Sequence, residues 1–217
     1  MKFISLALLL AILVFGCTTS TFADSIPITN PSFETTNPLN FSCGVGCAYN
    51  NGPIPGWTTT GGQQGSFQPG TAGFFTSPVP DGSIVAYSNG GTISQTLSAT
   101  LSPNATYTLS LDVGRRVDTG MTNFMIELFA GNTLLSSLTV SNSTIAPGSF
   151  APELLTFTAG ANPLTGNLGI AFVNPSPIPA QVNYDNVALN VTPVPEPGSL
   201  ALLATGLGLA FFVLRRR

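Results

Sequence analysis

Histidine is absent from the chain, and that absence bears first on what chemistry it can do. A Ser-His-Asp or Cys-His nucleophile cannot be assembled without an imidazole base. Zinc coordination of the usual Cys/His kind is equally excluded. What remains is a sparse set of carboxylates, aromatics and two arginines. In Asn183-Tyr184-Asp185-Asn186-Val187-Ala188-Leu189-Asn190-Val191, Asp185 shares parity with Val187, Leu189 and Val191, the side expected to face a core. A carboxylate there must be protonated, paired or bound to a cation. Glu34, after Phe33 near the start, is the natural second carboxylate, and the two could share one structural Ca²⁺ with backbone carbonyls. The competing readings are a bulge that turns Asp185 outward, or a turn that it caps through the backbone. Cys43 and Cys47 flank Gly-Val-Gly and read as a local disulfide in an oxidising compartment.

A binding site for a sugar needs an exposed aromatic platform with polar partners. Trp57, with Phe67, Phe74, Phe75 and Tyr87, supplies aromatic candidates; Gln63, Gln64, Arg115 and Arg116 supply polar ones. Trp57 and Tyr87 with Arg115 and Arg116 are the expected ligand-binding set, and an acidic polysaccharide is the ligand the arginines would suit. The blander role for the arginines is an ion pair with Asp112 or Asp118. Net charge is −3, and between the chain ends the only cations are Arg115 and Arg116. That excludes nucleic acid as a partner.

These residues must be positioned by strands. Thr106 to Val113 alternates, with Tyr107, Leu109, Leu111 and Val113 on one face. Further strands are expected at Ser25–Thr29, Ser83–Tyr87, Thr92–Leu97, Phe124–Phe129, Thr133–Val140, Leu154–Thr158, Leu168–Val173 and Gln181–Val191. Asn89-Gly90-Gly91 reads as a hairpin turn, and the stretch from Asn30 to about Pro80 as irregular. About eight or nine short strands with polar turns predict an all-β antiparallel β-sandwich, a jelly roll.

The ends carry targeting information. Met1-Lys2, an apolar run from Phe3 to Phe15 and Thr21-Phe22-Ala23 read as a signal peptide, residues 1–23, for the secretion translocon and signal peptidase. Cleavage after Ala23 competes with a loose lipobox, Val14-Phe15-Gly16-Cys17, that would lipidate Cys17. At the other end Val194-Pro195-Glu196-Pro197 precedes an apolar run and Arg215-Arg216-Arg217. Proline on both sides of Glu196 forces extended backbone. The following ~16 apolar residues would make a transmembrane helix ~24 Å long, with the arginines cytoplasmic.

This tail resembles the PEP-CTERM sorting signal of Gram-negative bacteria. The resemblance implies recognition by an exosortase, a transient stay in the inner membrane, then delivery to the cell surface or an extracellular polysaccharide matrix. The body also resembles galactose-binding-like carbohydrate-binding modules. Asn30-Pro31-Ser32-Phe33-Glu34, Pro55-Gly56-Trp57, Pro80-Asp81-Gly82, Ile93-Ser94-Gln95-Thr96-Leu97, Thr106-Tyr107-Thr108-Leu109 and Tyr184-Asp185-Asn186-Val187 carry the likeness, which implies a calcium site matched by Glu34 and Asp185. Cyanobacterial cyclases of the hapalindole type are similar in architecture, with an aspartic acid driving rearrangement. Their lack of a sorting tail, and the scattered acids here, favour a body that is not an enzyme: a glycan-binding or adhesive domain over residues 24–192, or a coat protein, with the sorting signal at 193–217.

Overall fold

The structure, a computed structural model, describes residues 23–71, 73–175, 180–194 and Gly206. Among these, the chain forms β1 (Asp24–Ile26), β2 (Phe41–Gly44), β3 (Cys47–Tyr49), β4 (Thr58–Thr60), β5 (Gln64–Gln68), β6 (Val85–Ser88), β7 (Gly91–Thr100), β8 (Ala105–Arg115), β9 (Phe124–Ala130), β10 (Thr133–Val140), β11 (Ser149–Thr158), β12 (Asn167–Asn174) and β13 (Val182–Pro193). An eight-stranded sheet runs β11-β8-β13-β6-β5-β3-β2, with β1 also on β13; a five-stranded sheet runs β10-β9-β12-β7-β4. Every pairing is antiparallel. The expected all-β antiparallel sandwich is therefore observed.

Alternation builds the core. Tyr107, Leu109, Leu111 and Val113 on β8 are buried, as are Phe124, Ile126 and Leu128 on β9 and Leu168, Ile170 and Phe172 on β12. Each such side chain contributes roughly 1.5–3 kcal/mol by leaving water.

Three expectations are corrected. The stretch to Pro80 is not uniformly irregular: it holds β2 to β5, strands of three to five residues too short to show a period. Asn89-Gly90-Gly91 is not a hairpin, because β6 lies in the larger sheet and β7 in the smaller. The chain crosses between sheets through Gly90 and Gly91, at φ of 103° and 83°. The Gln64 side-chain amide anchors the crossing by donating to the carbonyls of Gly90 (2.5 Å), Gly61 (2.6 Å) and Thr60 (3.2 Å). A Cβ on Gly91 would run into that amide. Third, Asp185 does not share a face with Val187. The β13–β8 register slips between Asp185 and Ala188, around Asn186 at φ 52°, a bulge in which asparagine tolerates the left-handed backbone. Tyr184 and Val187 consequently both enter the core, and Asp185 takes the outer face.

That outer face is covered in part too. Cys47, Phe67, Val85 and Tyr87 form a second apolar cluster, packed by Tyr49, Phe74, Phe75, Val79 and Phe150. No described helix is long and apolar enough to cross a membrane. The expected transmembrane segment apart from Gly206, with Pro195, Glu196, Pro197, Arg215, Arg216 and Arg217, lies outside the described residues, as does the signal peptide up to Phe22.

Candidate functional site

On the outer face of the eight-stranded sheet, β3, β5 and β6 set Tyr49, Phe67 and Tyr87 side by side. Cys43, Gln63, Asn89, Arg116 and Gln181 complete the wall of an open groove of about 260 Å³. Tyr49 and Tyr87 meet edge to face at 6.4 Å, and Cys43 is joined to Cys47 by a disulfide. The Tyr87 hydroxyl reaches the Asn50 carbonyl (3.0 Å) and Asn51 Oδ1. Burial, with a smaller contribution from Tyr49, pushes that hydroxyl well above the usual phenol range, so it stays neutral and donates.

The Arg116 guanidinium lies over the rings of Phe74 (4.2 Å) and Phe67 (5.2 Å). It donates twice to Asp118, at 2.8 and 2.6 Å, and once to Gln181 Oε1 at 2.9 Å. The hydrogen bonds from Arg116 hold the Asp118 carboxyl below its usual range. Asn89 donates to Gln63 Oε1 at 3.2 Å. Its own Oδ1 is buried with no partner among the described residues.

A second constellation lies on the same sheet face. Glu34 follows Phe33, a fully buried residue at φ 60°. Its carboxylate accepts the amides of Ser83 (2.8 Å) and Ile84 (2.7 Å), and a Cβ on Gly82 (φ 61°) would strike it. Asp185 is fully buried and accepts the amides of Asp81 (3.0 Å) and Asn186 (2.8 Å). Burial raises its pKa to about 7, against the lowering effect of those two hydrogen bonds and helped by the charges of Asp81 and Glu34. Asp112 faces Asp185 across the strand pair and accepts the Asn186 side-chain Nδ2–H at 2.9 Å.

The two expected metal ligands, Glu34 and Asp185, thus grip one loop, Asp81 to Ile84, from two sides. Among the described residues no three acidic or sulfur/imidazole groups stand close enough to hold a metal as they are placed. The donor chemistry nevertheless suits a hard cation. It is all oxygen, and the one ion pair found among the described residues is Arg116–Asp118, elsewhere on the sheet.

The expected ligand-binding residues separate. Tyr87 and Arg116 line the groove. Trp57 is a core residue, packed on Phe33 (5.1 Å) and Phe172 (5.5 Å), with its indole N–H on the Asn30 carbonyl at 3.0 Å, so it offers no exposed platform. Arg115 donates to the carbonyls of Asn142 (2.8 Å) and Ile145 (3.2 Å) and ties down that loop. Sequence reasoning passed over Tyr49, Asn89 and Gln181. Asn89 reads as a turn former, and the bulky Tyr49 close after Cys47 was the one available hint.

A family model described as HpiC1 cyclase matches residues 24–190, and the PEP-CTERM protein-sorting motif matches 193–217. No curated protein sequence matches. Among solved structures, the Stig cyclase FisC from Fischerella sp. TAU, in complex with (3Z)-3-(1-methyl-2-pyrrolidinylidene)-3H-indole, is 29% identical. The alignment covers 80% of this chain and 100% of that one, with a TM-score of 0.70. A Fischerella sp. TAU cyclase in complex with 4-(1H-indol-3-yl)butan-2-one gives 29%, 80%, 100% and 0.69. A family 16 carbohydrate-binding module aligns at 14% identity over 75% of this chain and 97% of its own, with a TM-score of 0.47, and gives no ground for a sugar ligand. The tail is thus a PEP-CTERM sorting motif, marking an exported protein that an exosortase processes at the membrane. The expectation that the body is not an enzyme is corrected: the family match and the Fischerella structures point to a cyclase enzyme fold.

Proposed function

This chain belongs to the HpiC1-like cyclase family, and from that premise we propose that its body closes a ring on a planar aromatic substrate held in the Tyr49–Phe67–Tyr87 groove. One observation carries the reading. The aromatic groove shares a sheet face with Asp185, a carboxyl whose pKa burial raises to about 7. A general acid works best with a pKa close to the operating pH. Proton transfer from Asp185 to a substrate double bond leaves a cation, which the faces of Tyr49, Phe67 and Tyr87 stabilise. The ring bond forms from the aromatic π pair, and the proton then lost from that ring returns to the Asp185 carboxylate. The reaction is an isomerisation and needs no oxidant.

Asp185 lies beside the groove rather than in its wall. Gln181 in the wall donates to Asn183 at 2.9 Å, and Asn183 precedes Asp185 by two residues on the same face, roughly 7 Å along a strand. Transfer therefore requires the loop over Asp185, which includes Asp81, to lift. The test uses purified body with 4-(1H-indol-3-yl)butan-2-one as binding probe and a 3-alkenylindole as substrate, products being resolved by chromatography and NMR. Asp185→Asn should abolish turnover while leaving probe affinity within twofold. A body that binds no indole defeats the proposal.

The crowding of Glu34 and Asp81 about Asp185 favours a second role for this carboxyl. Glu34 and Asp185 would hold Ca²⁺, which neutralises their charge and ties the segment before Glu34 to the Asp81–Ile84 loop. A calcium-bound Asp185 is an anion and cannot be the acid. Calcium that quenches turnover while raising the melting temperature selects the structural role. Presentation of the body on the cell surface or in an extracellular matrix completes the proposal.

A further inference from the structure

The body meets the sorting motif without slack. The cyclase family match stops at residue 190 and the motif match begins at 193. Across that junction β13 stays paired with β8: Thr192 faces Thr106, and Pro193 faces Ala105. The next residue, Val194, gives its N–H to the Asn104 carbonyl at 2.7 Å. Asn104 is itself fixed, left-handed at φ 49° with its own N–H on the Gly160 carbonyl at 3.1 Å. The first residue of Val194-Pro195-Glu196-Pro197 is therefore tied to the sheet. Ser199, where the apolar run begins, lies at most about 18 Å further on even along a fully extended chain. The loops at this pole, 101–104, 131–132 and 159–166, hold no charged residue, and Leu164 is exposed there. An acidic body can approach anionic lipid headgroups closely by this end.

We propose that the sorting enzyme reaches its segment only after Thr192, Pro193 and Val194 leave β8, so that the fold of the body sets the rate at which the tail is processed. A partner that takes an extended peptide holds it by main-chain N–H and C=O groups, and the Val194 N–H is already given to Asn104. The three residues are built for release. β1 flanks β13 only at Leu189, Asn190 and Val191, so beyond Val191 the strand pairs with β8 alone among the described strands. Pro193 has no N–H to contribute, and Pro193 and Val194 are exposed. Release stops at Val191, which packs on the core beside the fully buried Leu189. One strand end frays, and the rest of the body stays folded. The inference rests on the tail being an exosortase substrate seated in the membrane.

The experiment follows the full chain by pulse-chase in cells that carry an exosortase, with tail-bearing and tail-less forms resolved by mass spectrometry. A flexible Gly/Ser spacer between Pro193 and Val194 leaves the body intact and frees the motif. Processing should then run about tenfold faster, the equivalent of the one or two main-chain hydrogen bonds that no longer have to open. The reverse change, Thr106→Cys with Thr192→Cys, puts cysteines at registered partners within reach of a disulfide. That pair should slow processing by a similar factor until reductant is added, with the parent chain under reductant as the reference, and neither single substitution should do so. Where the cysteine pair does not fold, the spacer alone decides. Equal rates in the parent and spacer chains, with the exosortase required by both, overturn the inference and leave the sorting reading standing. A parent chain that keeps its tail, or loses it equally without the exosortase, overturns both.

Discussion

The eight-stranded sheet buries its inner face and, over β3, β5 and β6, part of its outer face, in two different ways. Toward the smaller sheet, Tyr184 stacks on Phe172 at 4.9 Å and meets Phe124 at 5.8 Å in a core of alternating apolar residues. On the other face, Tyr87, Phe67 and Val85 lie under aromatics delivered by loops and by β11: Phe74, Phe75 and Phe150. The inner layer is closed. The outer layer leaves a groove, and it holds Asp185, whose pKa burial raises to about 7, Asn89 Oδ1 without a partner among the described residues, and Arg116 over two rings. One side of the sheet supplies stability, and the proposed chemistry belongs to the other.

Four measurements break or sharpen that contrast. Phe172→Ala should cost about 3–5 kcal/mol in denaturant unfolding, whereas Tyr87→Ala should cost less stability and most of the ligand affinity. Equal stability losses would erase the distinction. Asp185 comes next. The folded chain binds its proton more tightly than the unfolded chain does, so between about pH 4 and pH 7 each rise in pH favours unfolding. In chelator, stability should fall by on the order of 3 kcal/mol across that window, flatten above it, and show no such fall in Asp185→Asn. Added calcium that reverses the trend at pH 8 assigns Asp185 to the ion. Cys43→Ser should cost about 2 kcal/mol, as expected for so short a closed loop, and should weaken probe binding because Cys43 forms part of the groove wall. The smallest effect belongs to Asp118→Asn. The pair with Arg116 is partly exposed and contributes about 0–1 kcal/mol, so melting should barely move while the groove gains affinity for indole carboxylates.

What the sequence disclosed follows the same division. The inner face was legible because Tyr107, Leu109, Leu111 and Val113 repeat with a strand's own period, and burial by the opposite sheet reads that period directly. The outer face was not. Phe74 and Phe75 come from a loop with no period, and β3 and β5 are too short to display one. The bulge at Asn186 inverts the parity on which Asp185 was placed, and a lone asparagine in a strand signals such a bulge only weakly. Trp57 looked like a platform because it follows a turn. The turn instead folds it inward, where Asn30, at φ 53°, receives its indole N–H. The expectation that the body is not an enzyme failed for a related reason. It weighed the sorting tail and the scatter of acids along the chain, whereas the fold gathers Glu34, Asp81, Asp112 and Asp185 to one end of one sheet face.

The last strand has a mechanical consequence. β13 leads directly into the sorting motif and is hydrogen-bonded to β8 on one side and to β6 and β1 on the other, with Asp24 opposite Val191. A pull on the tail is delivered along the axis of this central strand, so its hydrogen bonds are loaded together in shear instead of being peeled apart in turn. The same pairing brings the start of the body beside its end, so both lie at one pole. Under flow, a body tethered in this way would bear drag on its strongest element, with its groove strands loaded only through β13.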